Sequence, residues 1–110
     1  MNDLQRKVLG LSAELNTFLS YSRSKNKPDP SLDNLTAGSL SGVGYKTSRL
    51  VGPNGDSTER ITALPEDVQN AILRVNYVWR CVWEKRWLRE LEEHARTLDR
   101  YCATFGPVSA

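Results

Sequence analysis

The sequence predicts an all-α protein, a helical hairpin in which an N-terminal helix packs antiparallel on a long C-terminal helix. Three observations carry this. Leu4, Val8, Leu11, Leu15 and Phe18 recur at spacings of four and three residues, the period of one helix face. Residues 65–105 contain all three tryptophans and no glycine. Between these stretches lies a connection rich in Gly, Ser and Pro.

The first helix spans about residues 3–22. Asn2 or Asp3 can cap it by accepting a hydrogen bond from a free amide of the first turn. Gly10 weakens it by about 1 kcal/mol relative to alanine. It fades through Ser20 to Ser24, and Pro28 and Pro30 end it, because a proline disfavours helix in the residue before it.

The connection covers about residues 24–60 and holds five of the seven glycines and three of the five prolines, so little regular structure is expected there. Ser31 to Leu40 could form one helical turn. Gly42-Val43-Gly44-Tyr45 reads as irregular or extended, and Gly52-Pro53-Asn54-Gly55-Asp56 as a turn.

The second helix begins at Ser57 or Thr58 or, as favoured, at Leu64-Pro65. Proline suits a first helical turn, where its missing amide costs nothing, and Glu66 and Asp67 complement the positive end of the dipole. Val68, Ile72, Val75, Trp79 and Val82 form one stripe; Leu88, Leu91, Ala95, Leu98, Cys102 and Phe105 form another. The six-residue step between them turns the second stripe by ~120°. Either a continuous helix over about 65–105 offers two faces, or the chain kinks near Glu84-Lys85-Arg86. With no glycine or proline there, the continuous helix is favoured. At ~60 Å it outruns the first helix. Its remaining apolar surface therefore predicts a homo-oligomeric bundle.

Composition excludes several classes. A formal charge of +2 does not announce a nucleic-acid binder, and the Lys/Arg excess lies before residue 61. No apolar run approaches the ~20 residues of a membrane span, and the N-terminus lacks the apolar core of a secretion signal. A cytoplasmic protein is expected, without membrane association. On one helix Cys81 and Cys102 stand ~31 Å apart, too far to bridge. Lone His94, with Glu90 and Glu93 near it, has no second His and no suitably placed Cys to complete a metal site. No nucleophile elbow or phosphate-binding loop occurs. Neither catalysis nor a cofactor is expected.

Trp79, Trp83 and Trp87 at i, i+4, i+8 would stack along one side of a helix. With Tyr77 they are the residue types of protein-protein hot spots, and they form the expected interface. The alternative is nucleic acid, with indoles stacking on bases and Arg80, Lys85, Arg86 and Arg89 holding phosphates. Glu84, Glu90, Glu92 and Glu93 share the stretch and oppose that alternative. Arg80/Glu84, Arg86/Glu90, Arg89/Glu93 and Glu92/Arg96 are spaced for ion pairs along a solvated face.

The run Leu64-Pro65 to Tyr77-Val78, with Ser41-Gly42-Val43-Gly44-Tyr45 before it, resembles the Q-type antitermination and ArpU-like late-gene regulators of bacteriophages. The resemblance implies a small regulator acting in the host cytoplasm on a host or phage macromolecule. Those regulators place a turn and a recognition helix after the tyrosine. Here Trp79 to Tyr101 has no turn cluster, so a helix-turn-helix is not expected. The reading is a non-enzymatic interaction protein, a phage-type regulator or inhibitor that binds a partner macromolecule. The alternative is an antitermination-like regulator that binds nucleic acid.

Overall fold

A computed structural model of the chain describes residues 1–23, 41–81 and 87–105. Among them the protein is all-α, with a single isolated bridge, Val51 to Ser57, as its only β pairing. Helix α1 runs Asp3–Arg23, α2 covers residues 41–48, α3 runs Glu66–Cys81 and α4 runs Leu88–Ala103. A 3-10 turn, Ile61–Ala63, leads into α3. No helix among the described residues is long and apolar enough to cross a membrane.

Helix α1 is the expected amphipathic one. Val8, Leu11, Leu15 and Phe18 are fully buried, joined by Leu19, and Leu4 packs against them. Asn2 is the cap: its Oδ1 accepts from Gln5 N at 2.8 Å, and Gln5 Oε1 accepts from Asn2 N at 2.9 Å. That reciprocal pair is a capping box. Asp3 instead pairs with Lys7 one turn on, at 3.1 Å. Helix α1 packs on α4. Ser12 Oγ and Asn16 Nδ2 both donate to Asp99 Oδ1, at 2.6 and 2.9 Å.

The connection carries more structure than its composition suggests. Residues 41–48 are helical, which corrects the reading of Gly42 to Tyr45 as irregular. Val43, Thr47 and Leu50 face the core, a spacing that only a helix turns to one side. Thr47 satisfies its hydroxyl by donating to Gly44 O at 3.0 Å. The turn at Gly52–Asp56 is present. Gly52 N donates to Asp56 O at 2.8 Å, Gly55 N to Gly52 O at 2.9 Å, and Gly55 adopts φ 78°, the left-handed region where glycine carries no Cβ penalty. The turn expected at Ser31 to Leu40 lies outside the described residues.

Helix α3 starts where Leu64-Pro65 placed it, with Pro65 O accepting Gln69 N at 3.0 Å. The single helix over 65–105 is corrected. Arg74 of α3 bonds Glu90 of α4, and the two helices pack together. Sixteen residues along one helix would separate that pair by ~24 Å. The long axis of the molecule is 40 Å, shorter than a forty-residue helix. The bend removes the premise of an apolar face that only a second chain could cover. Val68, Ala71, Ile72, Val75 and Val78 of α3 share one core with Leu91, Ala95 and Leu98 of α4 and with the α1 stripe. Cys81 and Cys102 lie on different helices, α3 and α4, so the ~31 Å spacing of a single helix does not apply to them. Cys102 is a free, half-buried thiol, and burial raises its pKa.

Candidate interaction surfaces

Bending the chain divides the tryptophans. Trp79 lies on α3 and Trp87 just ahead of α4, so they do not form a ladder on one helix. Trp79 turns toward α2, where a Cβ on Gly44 would overlap its indole ring. It is committed to the interior more than to a partner. Trp83, Lys85 and Arg86 lie outside the described residues.

Tyr77 and Trp87 are brought to the same guanidinium. Arg74 Cζ stands 4.8 Å from the Tyr77 ring centroid and 5.2 Å from that of Trp87. Its Nε donates to Glu90 Oε1, while Nη2 reaches Glu90 Oε2 at 3.4 Å. His94 Nε2 lies 3.4 Å from the same Oε1. The hydrogen bond from Arg74 is the main reason the Glu90 carboxyl is held below its ordinary range. Sequence spacing alone pairs Glu90 with Arg86. The fold uses it across helices. This cluster clasps α3 to α4 and leaves Tyr77 45% exposed.

A second cluster was missed by sequence reasoning. Arg6 and Lys7 of α1, with Lys46 of α2 and Arg49 just after it, line a shallow depression of about 210 Å³ beside Gly10. Among the described residues Asp3 is the one acidic side chain lining it. Its carboxyl is held low, first by the hydrogen bond and charge of Lys7, with the charges of Arg60 and Arg49 adding to them. Arg49 Cζ lies 5.8 Å from the ring centroid of Tyr45, which is 61% exposed. The available signal was the Lys/Arg excess before residue 61. Helix α2 turns half of those eight cations into one patch, and α2 was the element not foreseen.

On α3, Arg80 borders neither cluster. It lines a pocket of about 320 Å³ together with Asn76, Trp79, Ser48 and the Val51–Pro53 segment. Asn76 is 2% exposed, and its Oδ1 has no hydrogen-bond partner among the described residues. An unsatisfied buried polar group costs about 1–3 kcal/mol. Arg89 is exposed on α4, next to Glu90. Of the four cations expected to hold phosphates, Arg80 and Arg89 stand exposed on α3 and α4, and Lys85 and Arg86 lie outside the described residues. Among those residues no three His, Cys, Asp or Glu side chains converge as a metal site requires. In comparisons with known proteins, the chain matches no family model, no curated protein and no solved structure.

Proposed function

We propose that this is a non-enzymatic interaction protein that binds the acidic surface of a partner macromolecule through the cationic face of α1 and α2. The observation that carries the reading is the convergence of Arg6, Lys7, Lys46 and Arg49 on a depression with one acid. Four cations against the single carboxylate of Asp3, which pairs with Lys7, leave an excess of positive charge that an anionic partner relieves. Arg49 offers a planar fork that matches a carboxylate, and Tyr45 beside it offers an exposed ring. A phage-type regulator or inhibitor working in the host cytoplasm, as the resemblance in layout implies, is part of this proposal. Self-association stays in it on a narrower footing. Tyr77 and Arg74 would form a small contact, well below the ~800 Å² per partner of a stable interface, so it would be weak and concentration-dependent.

Nucleic acid is the second reading, favoured by Tyr45 next to Arg49, since a ring beside a guanidinium can stack a base and hold its phosphate. A short patch suits a protein partner better than an extended backbone track. Fluorescence anisotropy with an acidic peptide, duplex DNA and single-stranded RNA, each in rising salt, tests the two. Binding of the peptide, lost in the double variant K46E/R49E, supports the proposal. Steeply salt-dependent binding of DNA or RNA alone moves the conclusion to nucleic acid. If none of the three binds at low salt, the cationic face is only a solvated surface.

A further inference from the structure

The pocket between α2, the Gly52–Asp56 turn and α3 has features that folding does not explain. Asn76 sits on the inner side of α3 at 2% exposure, with its Oδ1 unpartnered among the described residues. An aliphatic residue would fill such a place without that cost. Its Nδ2 is directed at Gly55, lying 3.2 Å from where a Cβ would stand, and Arg80 Nη1 lies 3.3 Å from the same point. Two nitrogen donors thus converge over a residue that has no side chain and a left-handed backbone. A side chain at position 55 would fill the space both donors face.

Among the described residues Arg80 is the one charged side chain lining the pocket, and Trp79, Val51 and Pro53 give it apolar walls. One guanidinium balances the single charge of a carboxylate but leaves half the charge of a phosphate dianion unmatched, and its planar fork can take both carboxylate oxygens. The carboxamide carries a donor and an acceptor, and half a rotation exchanges them. A ligand with an amide next to its carboxylate satisfies both. A volume of about 320 Å³ is at the small end for ligand pockets.

We propose that this pocket binds the carboxylate of an N-acylated amino acid with an apolar side chain, either as the C-terminal residue of a polypeptide or as a free small molecule. The site is separate from the cationic face, and K46E/R49E should leave it unchanged. The test is a titration of the full chain followed by NMR, reading the Asn76 side-chain amide and the Trp79 indole. Its probes are N-acetylphenylalanine, the corresponding amide, a pentapeptide ending in free phenylalanine, and inorganic phosphate. Saturable shifts are expected with the acid and the peptide, and none with the amide. Tighter binding of the peptide identifies a polypeptide terminus as the source, and equal binding a small acid. Arg80→Gln, at an exposed position, should weaken binding at least tenfold with the melting temperature unchanged. Asn76→Leu should abolish binding. Equal binding of the amide, saturation of the same signals by phosphate, unaltered affinity in Arg80→Gln, or no shift with any probe at millimolar concentration would each overturn the proposal.

Discussion

Gly10 and Gly44 look alike in the sequence, each a glycine between helix-compatible neighbours, yet the fold uses them in opposite ways. A Cβ on Gly10 would meet the Lys46 side chain at 3.7 Å or more, an ordinary contact. Gly10→Ala should therefore stabilise the protein by about 0.5–1 kcal/mol through backbone entropy alone. A Cβ on Gly44 would overlap the Trp79 indole. Gly44→Ala should destabilise by about 1–3 kcal/mol despite the same gain in propensity, because overpacking outweighs it. Urea unfolding of both variants decides. Equal stabilisation by the two would mean that α2 does not approach Trp79 closely. Propensity alone counts against helix at Gly42 and Gly44, which is why Gly42 to Tyr45 reads as irregular or extended in the sequence. The close approach of a tryptophan thirty-five residues further on is not visible at the scale of a single residue.

At the scale of elements, α1 and the start of α3 were legible because their signals are local: a four-three stripe, an Asn–Gln box, a Leu-Pro opening. The α3–α4 bend was not. No glycine or proline marks it, and the ~120° change of phase between the stripes was compatible with either a long helix or a kink. What decides is tertiary, namely the Arg74 fork on Glu90 with the Tyr77 and Trp87 rings beside it. This contact should be sensitive to acid. The Glu90 carboxyl is depressed in the folded state, mainly by the Arg74 hydrogen bond, so the folded state prefers it ionised. Its contribution is full above the unfolded value, near 4.5, and is lost as pH falls through the depressed one. Glu90→Gln should cost about 1 kcal/mol at neutral pH. The gap between wild type and variant should close in acid. Denaturation measured from about pH 7 down to about pH 3 checks this. A gap of constant size throughout would show that the charge of Glu90 does not hold the hairpin.

For the whole molecule, the bend changes how many chains the fold needs. A helix of ~60 Å with a short partner leaves apolar surface bare, and oligomerisation was the way to cover it. Folded in two, the C-terminal half covers itself: the buried stripes of α1, α3 and α4 meet in one core, with Val43, Leu50 and Ile61 closing it. The large apolar side chains exposed among the described residues are Met1, Leu9, Tyr45 and Tyr77. Singly exposed apolar residues are ordinary for a soluble surface. Folding and self-association should then be uncoupled. When a dimer is required for the native state, dissociation accompanies unfolding and mass action raises the melting temperature with protein concentration. Here the melting temperature should stay constant over a wide range of concentration, even where light scattering detects weak association. Tyr77→Ala should reduce that association and lower the melting temperature by a few degrees, equally at every concentration, because the half-exposed ring contributes to the Arg74 clasp and little to the core. A melting temperature that climbs steadily with concentration would mean that the core is completed by a second chain after all.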